Sequence, residues 1–211
     1  MLEEIMYNGI NKSCIMGKMT LKLYAFLFLA LFSVSAKCQE VALKSNLIYD
    51  AFATLNAGIE IGIADKWTFD MSANYNAWTL SHDRKWKHWL LQPEARYWFC
   101  DRWAGHFVGA HALGGQYNVG NLDNNLSFLG TDFSGLSDNR YQGWFAGLGL
   151  VYGHSWILNK HWNLEALFGF GWVYTRYDVY PCATCGTKVA EDKPHNYVGP
   201  TKAAINLVYT F

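Results

Sequence analysis

Two cysteines in a Cys182-Ala-Thr-Cys185 run, two serine and histidine neighbours, and seven scattered charges are the residues of this 211-residue chain with the means to do chemistry. A CxxC pair does redox work where a helix start lowers the pKa of one thiol, and the flanking Pro181 and Gly186 offer no such start. A zinc site would need two further ligands; His195 is near in sequence, and no fourth presents itself. The reading is a disulfide between Cys182 and Cys185 that staples a loop, with free thiols and metal or redox chemistry as alternatives. A serine attacks only beside a base that is itself oriented. In His154-Ser155 strand neighbours face opposite ways, and Ser81-His82 has no acid to place beside it. The expectation is therefore no enzyme, no cofactor and no metal. The seven charges are Lys44, Glu60, Asp70, Glu94, Arg96, Glu165 and Lys202, nearly balanced in sign. Out of water such groups are tolerated only when paired and hydrogen-bonded. Mutual neutralisation is the reading; a proton path or a ligand pocket is the alternative.

What would gather those charges is a set of strands. Residues 67–78 alternate without a slip: Trp67, Phe69, Met71, Ala73, Tyr75 and Ala77 against Thr68, Asp70, Ser72, Asn74 and Asn76. Successive strand residues point to opposite faces, so this segment has one greasy face and one wet face. Seven more segments share the pattern. Residues 41–50 set Leu43, Leu47 and Tyr49 against Lys44 and Asn46; residues 55–64 set Leu55, Ile59 and Ile61 against Asn56 and Glu60. Residues 88–99 set Trp89, Leu91 and Tyr97 against Gln92, Glu94 and Arg96, with a bulge or break expected at Pro93, which lacks an N–H. Small residues on both faces blur 106–117. Residues 142–154 set Trp144, Leu148 and Leu150 against Gly143, Gly147, Gly149 and Gly153, whose absent side chains leave room for bulkier inward neighbours. Residues 162–174 point Asn163 and Glu165 inward, and 201–211 set Ala203, Ile205, Leu207, Tyr209 and Phe211 opposite Lys202, Asn206 and Thr210.

A greasy face outward and a polar face inward suit a strand with hydrocarbon on one side and a polar lumen on the other. Connections near Asp65, Asp101 and Asn159 are short, whereas those near His82, at 118–140 and at 178–197 are long. With the first strand running outward, every long connection falls at one end, as in outer-membrane barrels. The expected fold is an eight-stranded antiparallel up-and-down transmembrane β-barrel whose interior is only wide enough for side chains to fill. Tyr209 and the terminal Phe211 look like the signal read by the barrel-insertion machinery. A soluble lipocalin-like cup would reverse the pattern, with apolar residues pointing in.

Composition narrows the class further. The chain is 17% aromatic and only 16% charged, well under the roughly 25% charged of an ordinary soluble domain. Trp and Tyr favour membrane interfaces. The net charge is zero and the longest basic cluster is Arg84-Lys85-Trp86-Lys87, which argues against a nucleic-acid partner. The apolar run 21–36, with Lys18 before it, Lys22 at its start and small residues at its exit, has the parts of a secretory signal peptide. Residues 1–18 then read as an overlong gene start, 19–38 as the leader and 39–211 as the barrel. Cys14 and Cys38 leave with the leader, and Cys100, Cys182 and Cys185 remain in a disulfide-permissive compartment.

Three runs, Asn46-Leu-Ile-Tyr-Asp50, Gln92-Pro-Glu-Ala-Arg-Tyr-Trp98 and His111-Ala-Leu-Gly-Gly-Gln-Tyr-Asn118, carry a resemblance. Together they resemble the domain of unknown function 3575 family over nearly the whole mature chain. The resemblance implies a small outer-membrane β-barrel of Gram-negative bacteria, encoded in some members near fimbria-assembly genes. It supplies no catalytic residue. The expected role is that of a monomeric, non-enzymatic barrel in contact with outer-membrane lipid and lipopolysaccharide. It would act through external loops, chiefly 118–140, in surface contact, anchoring to a surface or fimbrial protein, or envelope integrity. A lipid A-modifying enzyme is the alternative.

Overall fold

Where alternation is strict, strands form with the boundaries it predicts. In this computed structural model, which describes residues 41–79, 85–120, 127–128, 131–132, 139–182 and 186–211, β2 is Leu55–Ala64 and β3 is Trp67–Asn76, joined by a two-residue turn. They are preceded by β1 (Val41–Asn46) and followed by β4 (Lys85–Trp98) and β5 (Gly105–Gly120). A short ribbon of β6 (Ser127–Phe128) and β7 (Thr131–Asp132) comes next. Long strands β8 (Arg140–Ile157), β9 (Trp162–Tyr180) and β10 (Ala190–Thr210) complete the chain. Eight strands pair antiparallel in the ring β1-β10-β9-β8-β5-β4-β3-β2. The expected leader 19–38, the start 1–18, Cys14, Cys38, Ser81-His82, Cys185 and most of loop 118–140 lie outside the described residues.

One ladder row shows how the ring is built. Partners run from Ala42 to Glu60, Asp70, Glu94, His111, Gly149, Gly171 and Gly199. Gly199 stands 11 residues (210 − 199) before Thr210, the β10 residue with which Ala42 itself pairs. That stagger is what tilted strands need to close. Ionisable groups occupy one side of the row and glycines the other. A Cβ on Gly149 would sit 2.6 Å from the His111 ring, so the missing side chain is the space that His111 fills.

Two expectations need correction. The first strand stops at Asn46 and does not reach residue 50; Leu47–Ala51 form a single helical turn, α1. Asn46 causes the break, because its side chain accepts from Ile48 N at 3.1 Å and caps that turn. The ring therefore closes only from Ala42↔Thr210 to Asn46↔Asn206, and side chains take over above it. The Asn46 amide donates to Ala203 O (3.5 Å) and accepts from Ile205 N (3.4 Å). Gln92 donates to Thr201 O and Tyr197 to Pro200 O, and Pro194 and Pro200 carry no N–H to satisfy.

Second, β10 begins at Ala190 and not at residue 201, and the expected loop 178–197 shrinks to 181–189. Pairing between β9 and β10 continues up to Val179↔Ala190 as a ribbon held by Arg176–Asp192 (2.9 Å) and Lys188–Asp178 (3.0 Å). Both of its faces are wet, so there was no hydrophobic alternation to read. At Pro93, where a bulge or break is expected, the structure shows a break and no bulge. Pro93 pairs with Met71 in unbroken register, and only the rungs toward β5 are interrupted, between Leu91↔Gly114 and Glu94↔His111.

Candidate functional site

The seven inward charges come from β1, β2, β3, β4, β9 and β10 and meet in one network. Arg96 lies at its centre. Its Nη1 contacts Glu165 at 2.9 Å and Glu60 at 3.0 Å, its Nε contacts Glu94 at 2.5 Å, and its Nη2 lies 3.9 Å from Asp70. Lys44 pairs with Glu60, with Glu165 at 3.2 Å and with Asp70 at 3.4 Å. Lys202 reaches Glu94 at 2.7 Å and Asp70 at 3.9 Å. Asn206 donates to Glu165 at 2.7 Å. Glu60, Arg96 and Glu165 are fully buried, and the rest nearly so. Glu60, Asp70 and Glu94 are direct cross-strand neighbours, an arrangement that repels unless cations sit over it. Arg96 and the two lysines do so.

The network packs the lumen at its own level, with its charged side chains shut off from solvent. Beside it is a cavity of about 20 Å³, lined by Lys44, Asp70, Asn74, Gln92 and Asn206 among others. That is room for about one water. Asn74 Nδ2, which has no protein partner, is the donor such a water would accept from.

A second group of inward residues is apolar, contrary to the expectation of a wholly polar lumen. Ala42, Trp98, Phe107, Val151, Leu167, Ala204 and Val208 pack together with Trp103, which the 99–104 turn folds in at φ 57°. Trp98 and Phe107 rings lie 4.6 Å apart, and the indole N–H of Trp98 donates to Thr68. Strand phase accounts for this: Trp98 shares a face with Arg96 and Glu94, and the phase decides its direction although its type favours the outside. Arg96 stacks over Phe107 at 4.7 Å and joins the two groups.

His111 is the inward residue that sequence reasoning missed. It is buried, its Nε2 lies 3.0 Å from Thr201 Oγ1, and its Nδ1 has no partner. The only signal was its phase in 106–117, where Ala110, Ala112 and Gly114 hide the period.

The remaining candidates lie apart from the lumen network. His154 and Ser155 face opposite sides: Ser155 is buried, and His154 stacks outside against His106 (4.2 Å) and Trp156 (4.6 Å). Cys182 is disulfide-bonded, and Cys100 is a free, exposed thiol in a short turn. Among the described residues no group of three or more His, Cys, Asp or Glu is arranged to hold a metal. Tyr209 packs outward against Trp162 (5.0 Å), His161 (5.6 Å) and Phe211 (5.1 Å), and the Phe211 N–H donates to Val41 O.

A family model described as "Protein of unknown function (DUF3575)" matches residues 24–211, and the chain belongs to that family. No curated protein and no solved structure matches it.

Proposed function

For a member of a family with no assigned activity, we propose a non-enzymatic outer-membrane barrel with a side-chain-filled lumen, exported by a cleaved leader and acting as a monomer through its external connections. One observation carries this reading, the inverted burial. Among the described residues sixteen polar or charged side chains are buried against twelve hydrophobic ones, while thirty large hydrophobics are exposed. Water would penalise that exposure, whereas hydrocarbon rewards it. The outward aromatics fall in two bands, Trp67, Tyr97, Trp156, Trp162 and Tyr209 near the short turns and Tyr75, Trp89, Trp144 and Trp172 toward the long ones. Such girdles mark the two interfaces of a membrane barrel.

On this reading Tyr209 and Phe211 present the chain to the insertion machinery, lipid and lipopolysaccharide surround the wall, and the loops 77–84, 121–139 and 181–189 meet a surface or fimbrial partner. The filled lumen supports an anchoring or envelope-integrity role over transport. Fractionation of cells checks it. The protein is expected in the outer membrane with heat-modifiable gel mobility, and protease added to whole cells is expected to cut only within the three loops. Recovery in the soluble periplasm would overturn the reading, and an altered lipid A mass spectrum in a deletion strain would replace it with an enzymatic one.

A further inference from the structure

We propose that the outward wall of β4, β5 and β8 binds one anionic lipid of the outer leaflet, its acyl chain in a trough over β5 and its head in a polar cleft above. The proposal rests on the membrane reading and goes beyond it by naming a site. The ladder fixes the geometry row by row. On β5 the outward residues Gly114, Ala112 and Ala110 carry nothing beyond Cβ, and they are paired with Leu91 and Ala95 of β4 and with Ala146, Leu148 and Leu150 of β8. Trp89 and Trp144 stand on either side of Gln116 at the upper end. Of these, Ala112, Gly114 and Gln116 with Trp89, Leu91 and Trp144 line an open trough of about 510 Å³, together with Pro93 beside Leu91. From Gln116 to Ala112 is four residues, about 13 Å of strand, which lies within the roughly 15 Å of one leaflet.

Above the tryptophans the wall changes character. Lys87, Asn118 and Gln142 form the next outward row, and with Tyr75 they line a cleft of about 420 Å³ that shares Trp89, Gln116 and Trp144 with the trough. The Trp89 indole donates to Gln116 Oε1 at 3.2 Å, which fixes the collar between the two. One group in the cleft is left to a ligand: Lys87 has no ion pair among the described residues. The carboxylate in this row, Asp178, is held by Lys188 and by the Asp192 N–H, so Lys87 sets the sign the cleft offers. An apolar trough, an aromatic collar and a cationic, amide-lined cleft in that order match one amphiphile: chain, interface and anionic head. On β9, by contrast, Phe168, Phe170 and Trp172 face outward and leave no such floor.

Native mass spectrometry of the full barrel, delipidated in mild detergent and titrated with lipopolysaccharide, phosphatidylglycerol or phosphatidylethanolamine, tests the site. One molecule of an anionic lipid is expected to stay bound, and the better of the two anionic lipids identifies the head. Filling the trough with the double substitution Ala112→Leu and Gly114→Leu is expected to weaken retention at least tenfold. A Cβ at Gly114 meets nothing closer than 3.8 Å, so the wall has room for a side chain there, and heat-modifiable mobility of the variant checks that it folds. Lys87→Gln is expected to cost about threefold with the anionic lipids and nothing with phosphatidylethanolamine; Ala166→Leu, on the outward face of β9, is expected to cost nothing. Equal retention by wild type and the trough variant, or no retention by wild type, overturns the site. If the same preparation is heat-modifiable and comes from the outer membrane, that failure is the site's alone; if it comes from the soluble fraction, the membrane reading has failed first.

Discussion

The lumen holds two groups of side chains that touch through Arg96 and Phe107 yet are built on different physics. Around Arg96, seven charges from six strands satisfy one another by sign and hydrogen bond. Around Phe107, eight apolar residues fill space by shape. A filled barrel can use either device. They differ in what they tolerate. Shape accepts a neighbour of similar volume, because dispersion contacts re-form at small cost. Charge does not, because removing one partner leaves another ion buried and uncompensated.

Two substitutions that roughly conserve volume set this contrast against experiment, and the larger effect belongs to the ions. Arg96→Met is expected to cost about 3–5 kcal/mol, since Glu60, Glu94 and Glu165 each lose a partner while fully buried or nearly so. Urea unfolding of the reconstituted barrel, followed by tryptophan fluorescence, measures it. Adding Glu94→Gln to Arg96→Met is expected to recover part of the loss by removing one stranded carboxylate. Phe107→Leu in the same assay is expected to cost less than about 1.5 kcal/mol. Equal costs for the two would dissolve the distinction.

Residue phase explains which parts of this arrangement were legible. Lys44, Glu60, Asp70, Glu94, Arg96, Glu165 and Lys202 could be placed together because each is polar inside an alternating run whose other face is greasy, and register brings them into neighbouring rungs. Where type and phase disagree, as at Trp98, phase prevailed, and an apolar cluster replaced the polar lumen expected there. Where both faces share one character the signal vanishes. Small residues hid His111 in β5, and wet residues on both sides hid residues 190–200 of β10. The end of β1 was illegible for another reason: the Asn46 cap is a local hydrogen bond that competes with the strand, and alternation continues through Leu47 and Tyr49 regardless.

That cap gives the next smaller effect, at the seam where β1 ends. Asn46→Ala removes the group that substitutes for a ladder rung on β10, at a cost of about 1 kcal/mol given the long hydrogen bonds to Ala203 and Ile205. The sharper readout is local. Hydrogen exchange at the Ile205 amide is expected to speed up while that at Leu167, deep in the β8–β9–β10 wall, stays unchanged. A uniform change would mean that Asn46 acts on the whole barrel and that the seam is no weaker than the rest of the wall.

The smallest effect lies outside the membrane, at the wet end of β9 and β10, where charges are paired but exposed. The Asp178 carboxyl is held below the ordinary aspartate value of 3.8, first because it accepts the Asp192 N–H and next because Lys188 donates to it. A carboxyl so depressed contributes stability that is complete above its ordinary value and is lost as pH falls through its folded value. The Lys188 ammonium, raised by Glu191 and Asp178, has the opposite sign and loses its share only at strongly alkaline pH. The ribbon is therefore expected to fray only below about pH 4. An NMR titration of the Asp192 amide checks this. Its shift is expected to move with a midpoint below 3.8 and to lose that transition in Asp178→Asn; a transition that survives the substitution would show that another carboxyl governs the wet end of β9 and β10.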